Sequence, residues 1–353
     1  MTPVYVRGRG LACTLGRDVG QAVAALSQGG HPASFCLLPG EPGVRIPYRS
    51  ILGEGGDWNV RARSLIQRVA AEAGAQQARG GALFIATSSF DIGAVEQGRA
   101  AMSYSAFTER IASWLAWDGP VYVVSTACTS SLNAIIAAHA LLSAGDTEEA
   151  LVLGLELDNR LTLGGFAALQ LLSPDRCKPF AVQRNGLVLG EAVSALRLST
   201  REPSRWTILG GATVVDGTQA TGASVAAVVS MYQSALAQSG LTADAIDLIK
   251  VQAAGSPAND AVEAQGLREA FQLIPPLVSL KPAIGHTMGA SGAAEIVLLT
   301  ACLDQGVWPN YTDAVDDALG VDLIAHRPDS IRHLMATILG FGGSHSTVVL
   351  ACA

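Results

Sequence analysis

Short apolar runs alternate with longer stretches of helical periodicity along this chain. Seven runs have the length and composition of buried strands; they are Ala82–Ala86, Val121–Val124, 150–155, 193–198, 246–251, 336–339 and 347–351. Five stretches repeat their apolar residues with the period of an α-helix, at about 61–74, 129–144, 225–239, 259–271 and 288–305. This alternation predicts an α/β fold whose sheets are mainly parallel and covered by helices on both faces.

One polar, proline-containing segment, TREPSR at 200–205, interrupts the alternation near the middle of the chain. It predicts two parts, residues 1–200 and residues 206–353, between which the sequence shows no visible repeat. A length of 353 residues is compatible with two domains or with one large duplicated fold.

The composition excludes several classes of protein. Hydrophobic residues make up 49% of the chain and charged residues 15%, so enough apolar material is present to build a core. This excludes a disordered protein and an acidic-tail protein. A net charge of −7 and an aromatic content of 5% argue against a nucleic-acid-binding surface. Neither a GxGxxG nor a GxxxxGK segment occurs, so we expect no nucleotide site.

The cysteine pattern and the N-terminal residues indicate the cellular setting. Six cysteines without a CxxC pair argue against a disulfide framework and against a zinc site, so we expect no metal. Arg7 and Arg9 lie where a secretory signal would be apolar. The uncharged stretch 119–145 is long enough to span a bilayer but contains many hydroxyl side chains. We therefore expect a soluble, cytoplasmic protein without a membrane span.

Cys128 is the first candidate for chemistry. It lies between a predicted strand and a predicted helix, where the helix dipole and free N–H groups would lower the pKa of the thiol and make it a nucleophile. We expect it to be the most reactive of the six cysteines. The alternative interpretation is a small buried cysteine without a chemical role.

Two glycine-rich segments supply further candidates. His286 follows a glycine turn and precedes a helix of small residues, so it could donate a hydrogen bond to a thioester or enolate oxygen, although a histidine in a loop is more often structural. Lys281 and Glu295 flank it. Phe341 lies in the turn GFGGSHS, whose N–H groups are free to face an anion. A loop at 177–191 and a strand end at 251–263, with a helix capped at Asn259 or Asp260, complete the set.

The order of these motifs resembles that of the β-ketoacyl-acyl-carrier-protein synthases. TACTSS at 126–131 is similar to the TACSSS nucleophile motif of that family, KPAIGHTMGASG to its KxxxGHxxGAAG, and GFGGSH to its GFGGTN. The N-terminal VYVRGRGLACTLG is similar to its first strand and turn, so the resemblance covers nearly the whole chain.

This resemblance implies a thiolase-like fold, with five layers in the order αβαβα, two related halves and a dimeric assembly. It implies that an acyl carrier protein delivers an acyl group to Cys128 and that a malonyl thioester then loses carbon dioxide and attacks it. The family uses the backbone N–H groups that match Cys128 and Phe341 as an oxyanion hole, with Phe341 gating the acyl tunnel. His286 matches the group that stabilises the enolate, and Lys281 and Glu295 match a buried ion pair. No cofactor is implied beyond the phosphopantetheine arm of the carrier.

The sequence departs from the family at several positions. Ala254 stands where the family has the second histidine of its Cys-His-His triad, and a methyl group cannot donate a hydrogen bond. Asn185 and Ala181 replace two usual aspartates, and the stretches near 40–60 and 213–224 are shortened. Gln252, two residues upstream on the same strand face, and His345 are the candidate substitutes for the missing donor.

Three functions therefore remain open from the sequence. The chain could be an unusual condensing enzyme of fatty acid or polyketide synthesis. It could instead be a non-elongating partner, similar to chain-length factors or to the second ketosynthase-like subunit of aryl polyene pathways; Ala254 favours this function and Cys128 argues against it. It could also be an acyltransferase or thioesterase that never decarboxylates malonate.

The same resemblance implies protein partners. We expect a dimer, with a heterodimer containing a complete ketosynthase favoured over a homodimer. Because carrier proteins are acidic, docking should use a basic patch, and the candidate residues are Arg61, Arg63 and Arg68 on one helix and Arg184 in a loop. The alternative is that these arginines form an ordinary solvated surface.

Overall fold

A computed structural model describes residues 2–53, 56–99, 102–218 and 220–353. Its strands are β1 (Val4–Cys13), β2 (Ser34–Leu37), β3 (Arg45–Arg49), β4 (Ala82–Ala86), β5 (Val121–Val124), β6 (Glu149–Glu156), β7 (Leu189–Gly190), β8 (Ala192–Ser199), β9 (Trp206–Val215), β10 (Leu248–Lys250), β11 (Leu277–Val278), β12 (His333–Leu339) and β13 (Ser344–Cys352). Its helices are α1 (Val19–Ser27), α2 (Trp58–Glu72), α3 (Ile92–Glu96), α4 (Tyr104–Leu115), α5 (Ser130–Ala144), α6 (Arg160–Ala168), α7 (Val225–Ser239), α8 (Pro257–Ala270), α9 (Lys281–Ile284) and α10 (Ser291–Gln305).

The main sheet contains the same strand arrangement twice. Its order is β11-β10-β12-β13-β9-β1-β8-β6-β4-β5. Reading outward from the centre, the N-terminal half has the order β1, β8, β6, β4, β5 and the C-terminal half has the order β9, β13, β12, β10, β11. When the five strands of each half are counted along the chain, both orders are first, fifth, fourth, second and third. The halves meet where β1 pairs with β9, at Val4 with Ile208 and at Tyr5 with Thr207. The topology therefore shows the duplication that the sequence conceals.

The expectation of mainly parallel sheets is wrong. Among the described strands, β4 pairs in parallel with β5 and β6, and β10 with β11 and β12. The other pairs of the main sheet, β1–β8, β1–β9, β6–β8, β9–β13 and β12–β13, are antiparallel. The reason is visible at 340–343, where four residues link β12 to β13. A connection this short cannot make the crossover that parallel pairing needs.

The helices and the sheet halves form five layers. Helices α5 and α10 lie in the centre, where Leu132, Ile135 and Val297 share one core with the inner faces of both halves. Helices α2 and α4 cover the outer face of the N-terminal half. Helices α7 and α8 cover the outer face of the C-terminal half. This arrangement confirms the expected five-layered fold with two related halves.

The central helix α5 explains the long uncharged stretch of the sequence. Residues 127–144 are apolar and long enough to cross a membrane by length and composition alone. Here they pack against β4, β6, β9, β13 and α10, so the stretch forms a core helix. The other central helix, α10, is buried at every residue from Ser291 to Leu303.

Helix α8 begins earlier than the sequence predicts. Its first residue is Pro257 and its N-cap position is Ser256, so neither Asn259 nor Asp260 caps it. Asp260 instead turns back to the preceding loop and accepts hydrogen bonds from the backbone N–H groups of Phe180, Ala254 and Gly255. This buried carboxylate fixes the backbone at Ala254.

Candidate active site

Cys128 lies in a tight turn between β5 and α5. Ala127 has a positive φ of 51°, which bends the chain sharply before the helix. The Thr126 N–H donates to the Ser130 hydroxyl over 2.9 Å and closes the turn. The thiol is 4% exposed, and its Sγ lies 3.0 Å from Nε2 of His286. The structure therefore brings together the two groups that the sequence singled out first.

His286 is held in place through its backbone. Its N–H donates to the Val188 carbonyl over 2.8 Å, and its own carbonyl accepts from the Gly190 N–H over 3.0 Å. Gly285, at φ 73°, makes the turn between α9 and this segment, and a side chain there would crowd Arg49 and the β7 backbone. The imidazole is consequently fixed to strand β7 of the N-terminal half, although it belongs to the C-terminal half.

A buried hydrogen-bond chain lies behind the imidazole. The His286 Nδ1 atom is 3.2 Å from the Ser291 hydroxyl, which is 3.2 Å from Lys281 Nζ. Lys281 pairs closely with Glu295, and the second carboxylate oxygen of Glu295 lies 2.9 Å from Lys250 Nζ. Both lysines and the glutamate are 0% exposed. The structure thus places Lys281 and Glu295 together, as the resemblance implies.

Lys250 was missed by the sequence analysis. Lys250 contacts Glu295 of α10, and it also donates a hydrogen bond to the Thr337 carbonyl of β12 over 2.6 Å. Its side chain therefore links strands β10 and β12 to α10. A signal was available, because a lysine interrupts the apolar run 246–251 and a lysine in a buried strand needs a partner. Burial lowers the pKa of Lys250 to about 8, while the Glu295 carboxylate opposes this shift.

The electrostatics of the site differ from the expectation for Cys128. Burial raises the pKa of the thiol to about 11, and this outweighs the N–H groups of Phe341 and Cys128, which lower it. The expected lowering of this pKa is therefore not observed, because the sulfur is almost completely removed from water. Burial, together with the positive charges of Lys281 and Lys250, holds the pKa of His286 well below its usual range. The resting site holds a neutral thiol beside a neutral imidazole.

The turn at 340–343 forms another wall of the site. The backbone N–H groups of Phe341 and Cys128 both act on the Cys128 thiol and lower its pKa. These are the two groups for which the resemblance implies an oxyanion hole. The Phe341 ring is half-buried and stacks on Phe166 at 5.3 Å between ring centroids. Gly343 permits the turn, because a Cβ at its φ of 76° would meet the Asp216 carbonyl.

Ala254 faces a small cavity beside the cysteine. The cavity measures about 20 Å³, which is room for one water molecule, and Cys128, His286, Gln252 and Phe341 contribute to its lining. Ala254 is 3% exposed. Gln252 is 7% exposed, and its side-chain Oε1 has no hydrogen-bond partner among the described residues. Ala254 is thus bordered by a side chain whose amide oxygen is unsatisfied.

His345 lies on the other face of the sheet. Ser344 and Ser346, its neighbours in β13, bond to Thr129 and Asn133 of the central layer over 2.9 and 2.8 Å. Because side chains alternate along a strand, His345 faces the outer layer. It is buried, neither ring nitrogen has a partner among the described residues, and it does not line the cavity beside Cys128.

The four arginines proposed for docking have different environments. Arg61 is only 7% exposed; its guanidinium pairs with both carboxylate oxygens of Glu191, at 2.7 and 2.6 Å, and with Asp158 at 2.7 Å. Its assignment to a docking surface is therefore wrong. Arg184 is mostly buried and pairs with Asp316 at 2.7 Å. Arg63 and Arg68 of α2 are exposed and remain candidates.

The two replaced aspartates lie in the loop beside the site. The Asn185 side chain is exposed, and its Oδ1 accepts a hydrogen bond from the Ser173 hydroxyl over 2.8 Å. Ala181 is buried. Of the shortened stretches, 40–60 contains two residues and 213–224 one residue that lie outside the described part of the chain.

The chain matches one protein family over most of its length. Residues 70–204 match the N-terminal domain of β-ketoacyl synthases, and residues 207–314 match their C-terminal domain. Together the two matches cover more than half of the chain.

Individual relatives agree with this match. A chloroplastic 3-oxoacyl-[acyl-carrier-protein] synthase II of Arabidopsis thaliana is 31% identical over 261 residues, which are 67% of this chain and 48% of the relative. Nodulation protein E of Rhizobium meliloti is 27% identical over 262 residues, 69% of this chain and 65% of the relative. The chain thus spans less than two thirds of the length of these curated relatives.

A solved structure covers the whole chain. It is the ketosynthase ApeO in complex with its chain length factor ApeC from Xenorhabdus doucetiae, with a TM-score of 0.84 and 25% identity, covering 100% of this chain and 98% of the matched one.

Proposed function

Because the chain belongs to the β-ketoacyl synthase family, we propose that it transfers an acyl group from an acyl carrier protein to Cys128 and condenses it with a malonyl thioester. The observation that carries this proposal is the 3.0 Å contact between Cys128 Sγ and His286 Nε2. The converging N–H groups of Cys128 and Phe341 add the oxyanion stabilisation that acyl transfer needs.

The loading step follows from the protonation states of the site. With the thiol pKa near 11, a free thiolate is rare at neutral pH, so the thiol must lose its proton as it attacks. His286 is neutral and positioned to accept that proton at Nε2, while Ser291 accepts a hydrogen bond from Nδ1–H. The nearby lysines disfavour a lasting imidazolium. The proton therefore passes on to the departing carrier thiol.

The condensation step needs the other histidine tautomer. Lys281 can donate to the Ser291 hydroxyl, which can in turn donate to Nδ1 of His286. This arrangement leaves the proton on Nε2, directed toward Cys128. There it can donate to the enolate oxygen that forms when malonate loses carbon dioxide. The enolate carbon then attacks the acyl carbon, and the Cys128 sulfur leaves as the thiolate.

Assembly into a dimer is part of this proposal. Strand β5 is the last strand of the main sheet, and its Tyr122 side chain is 42% exposed. A second β5 could extend the sheet across a two-fold axis. The carrier protein would dock near Arg63 and Arg68. The complex of a ketosynthase with its chain length factor among the similar structures supports a heterodimer.

Ala254 supports a second candidate function, that of a non-elongating partner. Loss of one oxyanion donor reduces rates by about 10²–10³-fold, which would make this chain a poor condensing enzyme on its own. In that case it would shape the tunnel of a complete ketosynthase across the dimer interface.

The test uses the purified chain, alone and co-expressed with a complete ketosynthase from the same genome. Mass spectrometry should detect the acyl group on Cys128 after incubation with an acyl carrier thioester, and Cys128→Ala should abolish it. Carbon dioxide release and β-ketoacyl product then separate the candidates. Product from the chain alone supports the condensing enzyme, and product only in the complex supports the partner. Loading without product in either sample indicates an acyltransferase or thioesterase, and absence of loading contradicts the proposal.

A further inference from the structure

The side-chain amide of Gln252 lies beside Cys128 with an unsatisfied oxygen. It is 7% exposed, it lines the cavity of about 20 Å³ together with Cys128 and His286, and its Oε1 has no partner among the described residues. Burying an amide without a hydrogen bond destabilises a protein, so such a group in a site requires an explanation.

The backbone fixes where this amide lies. The N–H groups of Gln252 and Ala253 each donate to the buried Glu263 carboxylate over 2.7 Å. Ile249, Val251 and Ala253 pack into the outer core of the C-terminal half, so Lys250, Gln252 and Ala254 face the opposite side. The Lys250 contact with Glu295 shows that this side is the one behind His286. The amide thus approaches the cavity from the segment after β10 that also carries Ala254.

We propose that Gln252 donates a hydrogen bond to the thioester oxygen of the malonyl substrate, in place of the absent imidazole. An amide offers N–H at one end and C=O at the other with nearly the same shape, so the unpartnered end can present a donor to the cavity. This role rests on the condensing function proposed above.

The donor acts during decarboxylation. The bond between the malonyl methylene carbon and its carboxyl group breaks, carbon dioxide leaves, and the electron pair moves toward the thioester oxygen as an enolate. Gln252 N–H and His286 Nε2–H then donate to that oxygen from two sides. This electron pair then forms the new carbon–carbon bond when the enolate carbon attacks the acyl group on Cys128. Neither decarboxylation nor condensation needs an oxidant, a reductant or a metal.

The decisive variant is Gln252→Leu, which keeps the size of the side chain and removes its polar atoms. We expect carbon dioxide release from malonyl carrier thioester, measured without prior acyl loading, to fall at least ~10-fold, within the range for a lost oxyanion donor. Acyl loading of Cys128 should stay within about twofold. The melting temperature should be unchanged or higher, because an unpartnered buried acceptor is removed.

His345→Leu is the matched control. His345 is also buried with unpartnered polar atoms, but it faces away from the cavity, so its removal should leave carbon dioxide release unchanged.

Four results overturn the inference. The first is equal carbon dioxide release by the wild type and Gln252→Leu, and the second is no release by the wild type even in complex. The third is a lower melting temperature of Gln252→Leu together with equal losses of acyl loading and carbon dioxide release. The fourth is the same loss of carbon dioxide release in His345→Leu. Failure of the proposed function is recognised separately, because the wild type itself would then fail to load Cys128 or would load it without forming β-ketoacyl product.

Discussion

Replacing Glu295 with glutamine tests whether its carboxylate holds the site together. Glu295 lies between two lysine ammonium groups, all three side chains being 0% exposed. Glutamine keeps the shape but leaves Lys281 and Lys250 without their counter-ion. Breaking a buried ion pair by removing one partner destabilises by ~3–5 kcal/mol. For a chain of this length the unfolding entropy is about 0.7 kcal/mol per degree, so the melting temperature should fall by ~4–7 °C.

The pH dependence identifies the cause of that loss. Burial lowers the pKa of Lys250 to about 8 in the folded protein, below its value of about 10.4 in the unfolded chain. The unfolded state therefore binds more protons between these values, and stability rises with pH across this window. Without the Glu295 carboxylate the pKa of Lys250 falls further. The stability difference between wild type and variant should consequently be smaller at pH 9.5 than at pH 7.

The measurement is urea or thermal unfolding at both pH values, followed by circular dichroism. Glu202→Gln is the matched control, because Glu202 forms a comparable pair with Arg7 but is 70% exposed. It should change stability by no more than ~0.5 kcal/mol. A loss below ~1 kcal/mol in Glu295→Gln, or a loss that is the same at both pH values, would refute the argument that two buried charges depend on this carboxylate.

Three other experiments probe the site and its partners. Ala254→His should raise carbon dioxide release by the isolated chain, but by less than ~10²-fold because a cavity of about 20 Å³ must widen to admit the ring; no rise indicates the partner function. Alkylation of Cys128 by iodoacetamide should accelerate about tenfold per pH unit up to pH 10, since burial raises the pKa of its thiol to about 11, and a plateau near pH 8 would contradict this. Charge reversal at Arg63 and Arg68 should weaken carrier binding severalfold in titration calorimetry while leaving the melting temperature unchanged, whereas Arg61→Met should lower the melting temperature.

The sequence predicted elements well where an apolar pattern is uninterrupted. Strands β4 and β5 have the predicted bounds, and so does α7. Strand β1 was not among the runs, because Arg7, Gly8, Arg9 and Gly10 interrupt its pattern. The glycines have a packing reason, since a Cβ at Gly8 or Gly10 would meet a backbone carbonyl of α2 or the residue after it.

Side-chain environments were harder to predict than elements. Arg61 was assigned to the surface because it is charged, yet it lies three residues after Trp58 and four before Leu65, on the buried face of α2. Its partner Glu191 is distant in sequence, so a pattern within one helix could not reveal the pair. The Lys250–Glu295 contact could not be predicted for the same reason, because it joins a strand and a helix that meet only in the folded protein.

The two central helices both begin near the Cys128 sulfur. Helix α5 starts at Ser130, two residues after Cys128, and α10 starts at Ser291, five residues after His286. The contact between Cys128 and His286 places these starts side by side. Each helix start carries roughly half an elementary positive charge, so together they approach one full charge. This positive field comes from the backbone dipoles of the two helices and not from side chains. Substitutions of the side chains around the sulfur therefore leave an electropositive centre in place.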